Sequence, residues 1–393
     1  MAYPYHGADG NRFVSGSSNL PNITPIEIPL SSQAIWITAL KSGNDSIWTA
    51  VLSNGDTKAY KITDNSYEEK TVLPNNIGVA MPITTTLNGD NNVVVANNFS
   101  DGSRYSSPVI IDKETGSRAY VATNGDLVLQ QEGTTQRLEI DAVTYSRLLI
   151  DDNKNLLVLT KPTLSYDHQV LGSAHPNAAA ITYISTKPIF EVISTIDIAT
   201  PDVIEGNPLI WKDVNNDGTR EIITTLSNIS EGARIVVFNE DGSIYAEGSP
   251  INQGYRWRHQ LAIAPFNNDS QLDLISIYIP HLGPHIETFR LDDASMSENR
   301  FNVNYSSHLQ ISLNLDKSIT GDFDNDGKPE VLLINRDSAS ELAAYSLSKN
   351  SANKDWILNL SDEVSSNIAA VTLENNSIAL GIGQGRVLKV WHP

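Results

Sequence analysis

Two stretches, DVNNDGTREI from Asp213 and DFDNDGKPEV from Asp322, constrain this chain more than any other feature. Each sets oxygen-bearing residues at alternate positions, turns on a glycine, and ends on a carboxylate just before an apolar run. The second offers the side chains of Asp322, Asp324, Asp326 and Glu330 and the Lys328 carbonyl. The first offers Asp213, Asn215, Asp217 and Glu221 and the Thr219 carbonyl. A hard cation such as Ca²⁺ takes about six to eight oxygens, and short alternating loops supply them. Gly218 and Gly327 fall where the chain must turn sharply, which a residue without Cβ tolerates best. An EF-hand is excluded, because its loop closes on a bidentate Glu at the twelfth position. Thr224 and Leu333 stand there, and the flanks EIITTL and EVLLI are β-branched runs that read as strands.

Short apolar runs broken by Asn, Asp and Gly recur along all 393 residues with almost no helical periodicity, the pattern of an all-β repeat protein. Between the two loops lies PFNNDSQLDL, with Pro265 in the first ligand position and Ser270 where glycine is expected, so no metal is assigned to it. The spacing of the three is close to the ~40–50 residues of a four-stranded propeller blade. LNGDNNVVVA from Leu87, IDDNKNLLVLT from Ile150 and TLENNSIALG from Thr372 read as further turns between first and second strands. ARIVVF, HIETFRL and ELAAYSL read as third strands.

The ends give the architecture. After Asn367 there is room for only three strands, whereas the orphan segment TPIEIPL puts Ile26, Ile28 and Leu30 on one face. Pairing it as the missing fourth strand closes the ring and removes exposed sheet edges. The expectation is an all-β, single β-propeller. It has seven four-stranded blades, with eight possible; residues 1–22 form an N-terminal extension and 23–393 the propeller. A first blade spans Ala34 to about Leu73, a second starts near 81, and GDLVLQQEGTTQRLEI (125–140) is an extra hairpin.

These loops resemble the calcium loops of FG-GAP or VCBS repeats, the family that includes the integrin α-subunit propeller. The resemblance implies Ca²⁺ in some blades, here two structural ions. It implies no activity, since such propellers serve as adhesins, lectins, enzymes and scaffolds.

In a propeller the turns between strands one and two lie on one face. The two-to-three loops and the links between blades lie on the other, around the channel. The second face gathers GYRWRHQ with Arg256, Trp257 and His259; IPHLGPHIE with His281 and His285; the long insertion PTLSYDHQVLGSAHPN with Tyr166, His168 and His175; and INRDSAS with Arg336. NNFSDGSRYSS adds Arg104 and Tyr105. Aromatic faces stack on sugars and Arg forks pair with carboxylates or sulfates. His281 and His285 equally suit a turn between two prolines, and Trp257 suits the core. His6, His308 and His392 have no convergent neighbours and are expected at the surface; Trp36, Trp48, Trp211, Trp356 and Trp391 are expected in the core. GIGQG from Gly381 reads as a tight turn between strands rather than a phosphate loop.

A formal charge of −19, from 46 acids against 27 bases, argues against a nucleic-acid partner. There is no cysteine, hence no disulfide or thiolate chemistry, and no apolar run of membrane-spanning length. The start MAYPYHGADGNRF lacks the blocks of a signal peptide. Calcium-type loops with high Asn and Ser and no Cys point to a bacterial extracytoplasmic protein. The leading expectation is a monomeric, calcium-stabilised module that binds a carbohydrate or a protein through the rim. A polysaccharide lyase or hydrolase using the same His, Tyr and Arg, and a structural scaffold, are the alternatives.

Overall fold

A computed structural model describes every residue except 88–91, 98, 132, 169, 173, 268, 270, 293–294 and 311. All regular structure among the described residues is β. The first sheet is the antiparallel meander Ala34–Ser42, Asp45–Leu52, Thr57–Thr63 and Ser66–Leu73, with the expected boundaries. Further four-stranded units begin at Val109–Asp112, Leu149–Ile150, Val203–Ile204, Arg258–Ala264 and Tyr305–Ser306. The seventh unit is Val364–Thr372, Ile378–Gln384 and Val387–Trp391, completed by Ile26–Pro29 from the other end of the chain. That strand pairs antiparallel, Ile26 opposite Val390 and Ile28 opposite Leu388, so the ring closes as the orphan segment requires.

The second blade is displaced from its expected place. The residues near 81 form a hairpin, Thr84–Leu87 with Asn92–Val95, that joins the first sheet through parallel pairing of Asn92–Val95 with Ser66–Leu73. Part of its turn, LNGDNN, lies outside the described residues, as does Ser270 of the Pro265 loop. Asp126–Gln131 and Thr134–Glu139, the supposed extra hairpin, are instead the two outer strands of the second four-stranded sheet. The first strands hide the period. In the fourth unit Val203–Ile204 and Ile210–Lys212 are two pieces of one edge along Glu221–Asn228. In the sixth, Tyr305–Ser306 and Ser318–Asp322 share Glu330–Asn335 in the same way, with a long inner loop between them.

Neighbouring sheets pack through apolar faces supplied by strand alternation. Ile223, Ile235 and Val237 of the fourth unit meet Ile263, Leu274 and Phe289 of the fifth. Trp48 of the first packs with Leu373, Ala379 and Leu388 of the seventh and with Ile28. GIGQG is not a turn: Gly381 and Gly383 lie within the strand Ile378–Gln384. A Cβ on Gly381 would stand 2.2 Å from the Trp48 ring, so only glycine admits that ring. Trp36, Trp48, Trp211 and Trp391 are buried and Trp356 is half-buried.

The N-terminal residues run along the inner wall of the ring. Ala2 bridges to Thr84, the Tyr5 hydroxyl donates to the Leu148 carbonyl (2.9 Å), and the Ala8 carbonyl accepts from Ile150. The Asp9 carbonyl accepts from Trp211, Asn11 exchanges bonds with Ile263, and Phe13–Ser17 pairs in parallel with Ser318–Asp322. The Pro4 carbonyl accepts from the Asn367 side chain (2.8 Å). One short segment thus bonds the inner edges of the sheets around the ring and occupies the channel. Its unpaired backbone groups find partners on first strands that no neighbouring strand covers.

Candidate functional site

Both acidic loops link a first strand to a second, as expected, and they fold alike. The Val214 amide donates to Glu221 Oε2 (2.8 Å), and the Phe323 amide to Glu330 Oε2 (2.7 Å). The Gly218 amide donates to Asp213 Oδ2 (3.1 Å), and the Gly327 amide to Asp322 Oδ2 (3.2 Å). Gly218 and Gly327 take φ of +91° and +85°, which glycine adopts without a steric penalty. Thr219 and Lys328 donate their amides to Asp217 and Asp326. In the second loop the Asp322, Asp324, Asp326 and Glu330 oxygens lie within 4.8 Å of one another. In the first, the Asn215 side-chain nitrogen bridges Asp217 (3.1 Å) and Glu221 (3.3 Å).

The donor set fits a hard cation. Glu330 Oε1 and Asp213 Oδ1 are buried without a hydrogen-bond partner, one orphaned oxygen per loop. Burial, then repulsion from the neighbouring carboxylates, pushes Glu330 up to about 9 and raises Asp322 and Asp324. A divalent ion would reverse that, since a nearby positive charge favours the ionised form.

At the opposite end of the first strands, the structure brings some of the expected rim residues together but buries several. His259 is fully buried, its ring stacked on Trp257 at 5.0 Å and 14°. Its Nδ1 meets Ser307 Oγ at 2.7 Å, and that hydroxyl lies 3.1 Å from His308 Nδ1. His308 Nε2 lies 2.7 Å from His281 Nε2. His308 and His392 are therefore buried and His6 half-buried, not surface residues as the sequence suggests. His308 joins because Ser307 and His308 lie beside His259 of the fifth blade's first strand. Only the adjoining Ser-His pair hinted at it. Burial holds His259 and His308 well below the usual imidazole range and His281 down at about 4, with cationic neighbours adding to it.

The long insertion packs onto this cluster. His168 Nδ1 meets Glu205 Oε1 at 2.5 Å, and Trp257 Nε1 donates to the Glu205 carbonyl at 3.1 Å. The Tyr166 hydroxyl accepts from the Tyr255 amide (2.8 Å), and the two rings stack at 5.6 Å and 12°. Tyr255 is 40% exposed, and Arg256 beside it is half-buried and donates from Nη1 to the Tyr255 carbonyl. Tyr255 (φ 56°) and Ile279 (φ 46°) are both left-handed. For bulky or β-branched residues this is strained backbone, and such strain collects at binding sites. His175 packs edge-on between Tyr105 and Tyr145. His285 turns to the Gly283 carbonyl and Tyr278, and Arg336 pairs with Asp337, so these two bond away from the cluster.

Beneath the cluster sits a buried ion group that sequence reading missed. Asp316 accepts from Arg12 Nε (2.9 Å) and from Arg147 Nη1 and Nη2 (3.0 and 2.5 Å). The three residues come from the extension, the approach to the third blade's first strand and the inner loop of the sixth.

No family model matches the chain, and no curated protein matches it. Solved structures align with it at low identity. The WD40 β-propeller domain of Doa1 is 9% identical over 94% of this chain and 96% of that one, with a TM-score of 0.43. A chain of the mitotic checkpoint complex is 11% identical over 94% and 96%, with a TM-score of 0.48. BBS1N, in complex with ARL6DN, is 11% identical over 72% and 75%, with a TM-score of 0.41.

Proposed function

We propose that this protein is a binding propeller of the FG-GAP/VCBS type. Its two acidic loops hold structural Ca²⁺ on one face, and its rim docks a glycan or protein partner on the other, outside the cytoplasm. The observation that carries the reading is the platform of Tyr255 and Arg256, stacked on Tyr166 and held by left-handed backbone at Tyr255 and Ile279. An exposed aromatic face beside a half-buried guanidinium, one of whose nitrogens is engaged by backbone, suits a sugar ring or an acidic side chain.

A lyase needs a base with access to substrate and an effective pKa near neutrality. Here the Tyr166 hydroxyl is engaged by backbone and raised by burial, and His259 and His308 are enclosed. These features favour docking over turnover. The test is binding of immobilised protein to acidic and neutral polysaccharides and to extracellular proteins, repeated with Tyr255→Ala and Arg256→Ala. Graded loss of affinity supports the reading. Unsaturated products absorbing in the ultraviolet, or binding indifferent to both substitutions, would overturn it.

A further inference from the structure

A concavity that shares no lining residue with the Tyr255 platform lies between the first, sixth and seventh blades. It has a volume of about 440 Å³ and is walled by Trp36, Met81, Tyr105, Leu309 and Leu313, with Lys317 at its floor. That size and lining are typical of small-molecule sites. Its walls come from the first blade, the link to the hairpin, the approach to the second blade, and the inner loop of the sixth. Closure of the ring is what assembles it.

The charge around it is unbalanced. Lys317 is 3% exposed, and its ammonium donates to the Val364 carbonyl and, at 3.2 Å, to the Ser366 carbonyl. Two of its three donors are thereby used and one is left. Next in sequence is Asp316, whose single carboxylate already serves two buried guanidiniums, Arg12 and Arg147. Asp316 is thereby fully engaged by the two guanidiniums, and Lys317 bonds only backbone carbonyls. Buried charge is costly unless it is paired. Burial lowers Lys317 to about 8, which still leaves it mostly protonated at neutral pH. At the lip, Arg104 is exposed, stacked on Tyr105, and has no carboxylate partner among the described residues. Glu363, the one acid in the lining, is exposed to solvent. In a chain of net charge −19, this local cationic excess under an apolar wall selects for an anion.

We propose that this pocket binds a small amphipathic carboxylic acid, its aromatic or branched body against Trp36, Met81 and Leu313 and its carboxylate held by the positive charge of Lys317 and Arg104 in the lining. The site is separate from the docking platform and does not depend on it. The experiment is calorimetric titration with 2-naphthoate, and with neutral 2-naphthamide as the isosteric control. The acid should bind saturably and the amide about tenfold or more weaker, the size expected for a lost charge-assisted hydrogen bond. Arg104→Gln, an exposed change that leaves the fold alone, should weaken the acid several-fold without affecting the amide. Lys317→Met should abolish the preference for the acid. Tyr255→Ala should change neither, so failure here is distinct from failure of the platform. Equal affinity for acid and amide, no effect of Arg104→Gln, or no binding at millimolar 2-naphthoate would overturn the proposal.

Discussion

Arg12 Nη2 lies 2.8 Å from Asp316 Oδ1, joining residues 304 apart in sequence at the centre of the ring, both almost wholly buried. Arg147 grips the same carboxylate from the third blade. The extension is thereby tied to the blades by charge as well as by backbone bonds.

The two sides of this contact are not equivalent. Arg12→Met removes one cation and leaves Asp316 paired with Arg147. Asp316→Ala leaves two buried guanidiniums without an anion. Breaking a buried pair so that a charge stands uncompensated costs about 3–5 kcal/mol. Asp316→Ala should therefore lower stability by that order and Arg12→Met by distinctly less, read from urea unfolding. The reverse order would mean that the group is solvated rather than buried.

Ring closure can be probed at Gly381. A methyl group there collides with the buried Trp48 ring, which cannot move without opening the contact between first and seventh blades. Gly381→Ala should cost about 1–3 kcal/mol, the range for overpacking a well-filled core. The double variant with Trp48→Leu should recover part of it. Equal stability of parent and Gly381→Ala would show that the two blades are not in register as described.

Acid should loosen the mouth. His259, His308 and His281 all have folded-state pKa values below the ordinary 6.5. The unfolded chain then binds more protons than the folded one as pH falls from about 6.5 toward 4, so stability falls over that window. Raised carboxylates such as Glu205 act in the opposite sense, so the readout is a difference. The pH slope of melting temperature between 7 and 5 should be shallower in His308→Gln than in the parent. An unchanged slope would remove His308 from the account.

What the sequence made legible follows from locality. The acidic loops, the strand alternation of Ile26 and Ile28, and the turns at Asp151 and Glu374 carry their signals within a few residues. The channel filling did not show, because AYPYHGADGNRF has no periodicity and its partners are backbone groups on sheets that meet only after closure. The second blade lies elsewhere than the turn near Leu87 suggests, because its first-to-second turn, DKETGS from Asp112, is shorter than the acidic loops that set the period. His308 was missed because the first strand of its blade is interrupted by the loop that carries it.

The two acidic loops offer the most direct check on the account, since they combine the geometry of both blades with the chemistry proposed for them. Protein stripped with chelator and titrated with Ca²⁺ in a calorimeter should take up two equivalents, with a rise in melting temperature. Asp322→Ala combined with Asp326→Ala should remove one equivalent and most of the associated shift. Absence of heat and of stabilisation at millimolar Ca²⁺ would contradict the account, leaving Asp213 Oδ1 and Glu330 Oε1 as orphaned oxygens without a purpose.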